Sequence, residues 1–295
     1  MSIDAWDEIR TAYHVARMGT VSGAAEVLGV HHATVIRHID ALEGRLGTKL
    51  FQRHARGYTA TEAGEDLLQV AQATDDQFTQ LVGRLKGIGN SVTGELVVTS
   101  VSSMSPLFAP MLASFQIAHP EVTTRFVTGE RLFRLEYGEA HVAIRLGNPP
   151  EQLDNVVQKF LTLGIAPFAS EDYLDRHTLP ETEADLKQQK FIAFNDDNTR
   201  APFGRWLKDN VPNENVVIRT SDIQAMKYLA IAGAGVGFVP VWEARQHPDL
   251  VQIWPAMDEW SVPAWLVTHV DLHRTPKVQA MLSHLKAEAK KLEDF

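Results

Sequence analysis

Four short periodic segments open the chain. Over residues 4 to 17, Trp6, Ile9, Tyr13 and Ala16 share one helical face, Asp4 stands at the capping position and Gly19 follows as a stop. A second, shorter helix begins with Ser22 as its cap, turns Ala24, Ala25 and Leu28 inward and ends at Gly29. The third runs from about His32 to Arg45, with Val35, Ile39, Leu42 and Leu46 stepping by 4, 3 and 4 to define one buried stripe. Opposite that stripe lie Ala33, Arg37 and Gly44, with Thr34, His38 and Ala41 on one shoulder and Asp40 on the other. Small residues beside a long cation let a helix press closely against a partner. The stretch FQRHARGYTATEAG then carries Arg53, His54, Arg56 and Gly57 in a turn between short strands. The pattern predicts a winged helix-turn-helix.

A long helix starts at Thr59 or Thr61, with Glu62 in its first turn, where a carboxylate suits the helix dipole. Leu67, Ala71, Thr74, Phe78, Leu81, Leu85 and Ile88 step alternately by 4 and 3, a heptad seam. A helix of roughly 28 residues spans about 40 Å. Its seam needs a cover, either a second copy of itself or its own domain. Gly87, Gly89 and NSVTG form a hinge after it. Beyond residue 94 the texture changes to short strand-like runs (ELVVTSV, TTRFVT, HVAIRLG, KFIAFN, VVIRT, GVGFVPVW) alternating with helical segments. Ser105-Pro106, Ser170, Ser221 and Thr275 open helices among them. Such alternation predicts a parallel or mixed α/β sheet, and about 200 residues divide more comfortably into two lobes than one.

With 295 residues the chain is long enough for at least two domains. It opens without a basic-then-apolar leader and contains no run of 18 apolar residues, so a cytoplasmic location with no membrane span is expected. The absence of cysteine removes disulfides, thiolate nucleophiles and cysteine-ligated metals. The net charge of −9 points away from nucleic acid until its distribution is considered. Residues 10 to 60 carry seven basic side chains against three acidic ones, a net of +4, whereas the remainder carries 21 against 34, a net of −13. His31, His32, His38 and His54 crowd into the same basic head. One module is built to meet phosphate.

The stretch AAEVLGVHHATVIRHIDALEGRLGTKLFQRHARGYTATEAG resembles the helix-turn-helix signature of the LysR-type transcriptional regulators. Ala24-Ala25, Leu28, Val35, Arg37, the run LEGRLGTKLFQR and Thr61-Glu62-Ala63-Gly64 carry the likeness, and the order of parts matches over essentially the whole chain. GELVVTS, HVAIRLG, APFASEDYL and AIAGAGVGFVP are similar to the family's co-inducer domain. The resemblance implies an α/β two-lobed, periplasmic-binding-protein-like domain preceded by an α-helical winged helix-turn-helix domain and a long linker helix. On this chain it assigns residues 1–60 to the head, 61–90 to the linker and dimerisation helix, and 91–295 to the effector domain. Lobe I is expected over about 94–163 and 269–295, and lobe II over about 164–268. His31-His32 depart from the family's common Ser-Gln pair, and Thr34 and Ile36 replace small residues, so base preference transfers least.

Helix-turn-helix geometry puts the third helix in the major groove, with His32, Ala33, Thr34 and Arg37 reading bases and His38 beside them. Arg53 and Arg56, with His54, hold phosphate or enter the minor groove. Arg37 alone would read as a solvated charge; its company in the motif makes it a DNA contact. Leu67, Ala71, Phe78, Leu81 and Leu85 pair the linker helices, so that two heads read a pseudo-palindromic operator in double-stranded DNA, in a dimer or tetramer. The binding-protein likeness places a small anionic or polar effector between the lobes. Its contacts are expected from Ser100, Ser102, Ser103 and Met104 at a helix start, and from Gly129, Arg145, Asn195, Phe203, Ser221 and Asp222 at other strand ends. Ser102 and Ser103 serve equally as helix caps, and Arg145 equally as a structural charge. RNA polymerase is a further partner the resemblance implies. No cofactor or metal is expected.

A non-enzymatic regulator is therefore expected; the alternative is an α/β enzyme with a scattered Ser/His/Asp site. No G-x-S-x-G, P-loop or H-E-x-x-H run supports it. GAGVG at 233–237 follows a helix and precedes a strand, the reverse of a dinucleotide fingerprint, and reads as a helix stop and tight turn.

Overall fold

A computed structural model describes residues 5–54, 57–85, 92–129, 131–196, 199 and 201–293. The expected cap Asp4, the wing residue Arg56, and Ile88 with the hinge glycines Gly87 and Gly89 lie outside the described residues, as do the side chains of Leu81 and Leu85.

The head is α1 (Trp6–Met18), α2 (Val21–Leu28), α3 (His32–Leu46) and a two-stranded wing, β1 (Phe51–His54) and β2 (Gly57–Ala60). Gly19, Gly29 and Gly47 end the three helices, each in the left-handed region, where a side chain would be strained. The cap of α2 is Thr20 rather than Ser22: Thr20 has the extended backbone a cap needs, and its hydroxyl accepts from the Gly23 amide at 3.1 Å. Val35, Ile39 and Leu42 are buried with Ala12, Val15, Ala24 and Ala25 in one small core. Leu46, the last position of the expected stripe, is instead about half exposed, because α3 ends there and the chain turns away at Gly47.

The wing is seated on the α1–α2 turn. The Tyr58 amide donates to the Gly19 carbonyl at 2.9 Å, and a Cβ on Gly57 would lie 2.4 Å from that oxygen. The linker helix α4 (Glu62–Leu85) starts at Thr61, whose hydroxyl accepts from the Gly64 amide at 3.2 Å and donates to the Lys49 carbonyl at 2.7 Å. Thr59 belongs to β2.

The described body holds three sheets, one of five strands, one of three and one of two. The first has the order β4-β3-β5-β12-β6: β3 (Gly94–Ser100) lies parallel to β4 (Val122–Thr128) and β5 (Val142–Leu146). Helix α5 (Ser105–Ala118) connects β3 to β4. Strand β6 (Asn155–Leu163) crosses through Gly164 into β7 (Ile165–Ser170) and the second lobe. There follow α6 (Glu171–Leu174), α7 (Glu183–Gln188), β8 (Phe191–Phe194), α8 (Pro202–Asn210), β9 (Val216–Thr220) and α9 (Ile223–Ile231). Next come β10 (Gly237–Pro240), α10 (Val241–Ala244) and β11 (Leu250–Gln252). Strand β7 is flanked antiparallel by β10 and β11; β8 pairs parallel with β9, and a bridge from Phe191 to Val236 ties the two sets together. The chain returns to lobe I as β12 (Val262–His269), then α11 (Val270–His273) and α12 (Pro276–Glu293), which packs beside α5.

The return crossing therefore falls before Val262, not at 269 as expected. Strand β12 pairs antiparallel with both β5 and β6 and is the fourth strand of the first sheet, a tertiary pairing that local pattern does not announce. Ser170 caps α6, whereas α9 is capped by Asp222 rather than Ser221, and the Thr275 hydroxyl is buried without a partner instead of capping α12.

Candidate DNA-reading face and effector cavity

Burying the apolar stripe of α3 leaves His31, His32, Ala33 and Arg37 exposed and Thr34 half-buried. His31, the extended residue before the helix, makes no side-chain cap. Its carbonyl accepts from the Thr34 and Val35 amides, so the amides of His32 and Ala33 at the first turn have no acceptor among the described residues. Arg37, two turns in, has neither an ion-pair nor a hydrogen-bond partner among them. Unspent donors and a solvated guanidinium thus share the exposed side of one helix.

Three of the expected contacts serve the head itself. The hydroxyl of Thr11 donates to the Asp7 carbonyl at 2.6 Å, so at 2.9 Å it accepts from Nδ1–H of His38, which braces α3 against α1. Arg53 is drawn back onto Asp40 (2.5 Å) and Glu43 (3.2 Å), with its guanidinium over the Tyr58 ring. It reaches phosphate only by giving up those partners. His54 bonds Thr59 across the wing at 2.9 Å.

The residue that organises this corner is Glu43, to which the sequence pattern assigned no role beyond membership of the LEGRLGTKLFQR run. Its side chain is 2% exposed and accepts from Lys49 Nζ (2.6 Å), the Leu50 amide (2.9 Å), the Phe51 amide (3.2 Å) and Arg53. Burial alone would raise its carboxyl; the hydrogen bonds from Lys49 and the two amides outweigh burial and hold it below the usual carboxylate range. A carboxylate one position beyond Leu42 on the buried edge of α3 was the available signal.

The seam of α4 faces the head. Leu67, Ala71, Thr74 and Phe78 line a groove of about 730 Å³ whose other wall is Trp6, Ile9, Tyr13, Leu42 and Leu46. Trp6 meets Phe78 edge-on at 6.2 Å, yet both rings stay more than half exposed. Its own domain therefore covers the seam only in part.

The ten expected effector contacts do not converge on one cavity. Ser100, Gly129 and Arg145 do meet, in a cavity of about 360 Å³ in lobe I walled also by Arg131, Phe133 and Asn148–Gln152. Ser100 is buried at the end of β3, and its hydroxyl oxygen has no partner among the described residues. Arg145 is half-buried, donates to the Phe133 carbonyl at 3.1 Å and forms no ion pair among the described residues. Burial pulls its pKa below the ordinary arginine value, partly offset by Glu136. A buried hydroxyl and a guanidinium without an ion pair among the described residues thus line the same cavity.

The other expected contacts lie elsewhere. Met104 and Phe203 are core residues, the latter stacked on Phe238 at 5.1 Å within the aromatic centre of lobe II. The Asp222 carboxylate is spent capping α9, Asn195 and Ser221 are exposed, and Ser102 is exposed in the turn before α5. Ser103 reaches lobe II through its backbone: its carbonyl accepts from Gln224 Nε2 at 3.2 Å. Gln224 also donates to Glu243, which pairs with Lys227 at 2.7 Å, both side chains about 5% exposed or less. This buried pair went unnoticed in the sequence, although Lys227 interrupts an otherwise apolar helix face.

Residues 6–65 match the bacterial regulatory helix-turn-helix protein of the lysR family, and residues 89–290 match the LysR substrate binding domain. The chain is thus a helix-turn-helix transcriptional regulator with an effector-binding domain. It is 28% identical over 253 residues to the regulator IlvY of Escherichia coli, covering 83% of this chain and 84% of IlvY. The regulator CbbR of Sinorhizobium medicae is 26% identical over 287 residues, 92% of this chain and 90% of CbbR. Full-length OxyR from Pseudomonas aeruginosa shares the fold, with a TM-score of 0.70 at 16% identity, covering 98% of this chain and 95% of that one. Full-length CbnR complexed with target DNA gives a TM-score of 0.54 at 21% identity, over 98% and 100% of the respective chains. The chain belongs to the LysR family. No helix among the described residues is long and apolar enough to cross a membrane.

Proposed function

We propose that this regulator reads operator DNA with the first turns of α3 and answers to a small carboxylate held at Arg145. The observation that carries the reading is the unspent donor set on α3: Arg37 without a partner among the described residues, beside the uncapped amides of His32 and Ala33. Arg37 suits a bidentate contact to guanine, the methyl groups of Ala33 and Thr34 suit thymine, and the free amides suit a phosphate. His38, Arg53 and Glu43 set the angle of that face instead of touching bases. The half-exposed Trp6, Val70, Phe78 and Val82 around the α1–α4 groove favour a second copy of α4 as its cover, which brings two heads to one pseudo-palindrome. In lobe I, the free Ser100 hydroxyl and Arg145 favour a carboxylate over a neutral metabolite.

Selection of genomic fragments by the purified full-length chain, followed by sequencing, tests the first part. Enrichment of a two-half-site sequence is expected, with Arg37→Ala relaxing one base pair in each half. Sedimentation showing a monomer at micromolar concentration would refute the paired arrangement. Calorimetric titration of a panel of short carboxylic acids into the chain and into Arg145→Ala tests the second part, and equal affinities would refute the assignment of the cavity.

A further inference from the structure

The wall of the Arg145 cavity continues into the contact between lobe I and the linker helix. Arg131 lines the cavity and pairs with Glu139 at 2.9 Å; Arg134 pairs with the same carboxylate at 3.1 Å, and its amide donates to it at 2.9 Å. The Glu139 side chain is 2% exposed, so one buried anion is shared by two guanidiniums. Arg134 also reaches α4, where Nη2 lies 3.6 Å from Asp66 Oδ1 and 3.4 Å from Gln69 Oε1. Between them, the Phe133 carbonyl is held by Arg145 at 3.1 Å.

We infer that the segment from Arg131 to Glu139 is a latch through which the occupant of the Arg145 cavity controls the attachment of the linker helix to lobe I. The inference rests on reading that cavity as the effector site. An anion entering it competes with Glu139 for Arg131 and with the Phe133 carbonyl for Arg145. Once Arg131 is drawn away, Glu139 retains a single counter-charge, Arg134, and holds it more closely. The longer, exposed reach of Arg134 to Asp66 and Gln69 is the contact that gives way. An exposed ion pair of this kind biases an equilibrium instead of locking it. The head is then held to the body less often when the cavity is filled than when it is empty.

The chain has no cysteine, so one spin-label pair can be placed without background. Glu65 on α4 and Ile117 on α5 are both exposed, one on the linker helix and one on lobe I, and take the pair Glu65→Cys and Ile117→Cys. Pulsed dipolar distances are measured in the full-length chain, diluted into unlabelled chain. Removing the arm to α4 with Arg134→Ala, or imitating occupancy with Arg131→Ala, is expected to lower the ratio of tethered to freed molecules by about two- to fivefold. A shift with Arg134→Ala alone overturns the link to the cavity, and no shift with either variant overturns the latch itself. The titration of Arg145→Ala reads the effector assignment separately. An Arg131→Ala shift in a chain that binds no carboxylate supports the latch and sinks only that assignment. Intact carboxylate binding with no shift does the reverse.

Discussion

Replacing Glu43 by alanine should uncouple the recognition helix from the wing. The carboxylate is 2% exposed and satisfies two buried amides, Leu50 at 2.9 Å and Phe51 at 3.2 Å. Each amide left without an acceptor costs about 1–3 kcal/mol. The Lys49 contact adds little, because that ammonium is 72% exposed and water replaces the carboxylate there. A loss of about 3–4 kcal/mol follows from the two amides and the vacated volume. For a head of this size that corresponds to a fall in Tm of roughly 12–32 °C. The isosteric Glu43→Gln keeps one acceptor oxygen but loses the charge, and should cost about half as much.

The same group makes the head acid-sensitive. Its folded carboxyl titrates below the ordinary value of 4.5, so the stability it confers is complete above that value and is lost as pH falls through the folded one. Scanning calorimetry of the parent and both variants, with hydrogen exchange at Leu50 and Phe51, measures all three statements. If Glu43→Ala melts within a degree or two of the parent while those amides stay protected, another acceptor serves them and the bracing role is wrong.

Four further outcomes are expected. Arg37→Ala should weaken specific operator binding by about 1–3 kcal/mol while leaving the salt-dependent nonspecific affinity nearly intact, as read by competitive gel shift. Lys227→Gln leaves Glu243 buried without its cation and should destabilise the body by about 3–5 kcal/mol, measured by thermal unfolding. Ser100→Ala removes a hydroxyl that bonds nothing among the described residues, so the melting temperature should hold or rise while carboxylate affinity in calorimetry falls. His31→Ser supplies the missing cap on α3 and should stabilise the head by about 1 kcal/mol by chemical denaturation.

Much of the head was legible because its determinants are local. Val35, Ile39 and Leu42 repeat at the helical period, and glycines at 19, 29 and 47 fall where the chain needs positive φ. Leu46 shows where that reasoning stops: a periodic position is buried only if something lies across from it, and the chain turns away at Gly47. Arg53 and His38 show the same limit for charge. Both occupy the positions a phosphate or base contact requires, but Asp40, Glu43 and Thr11 arrive from elsewhere in the fold to claim them. Phe203 reads as part of a loop but lies in the first turn of α8 and enters the core, where Phe194 at 5.6 Å and Phe238 at 5.1 Å pack against it.

The amino-acid order alone determined the division into a basic helical head, a seamed rod and an acidic α/β body, since periodicity, stops and charge balance are properties of neighbours along the chain. Tertiary structure decided which cations remain free. Arg37 and Arg145 pair with no carboxylate among the described residues while Arg53 and Arg134 do, because a guanidinium is neutralised by whichever carboxylate folding brings within reach. It also decided that β12 closes the first sheet, since pairing between strands more than a hundred residues apart leaves no mark on either strand's own pattern.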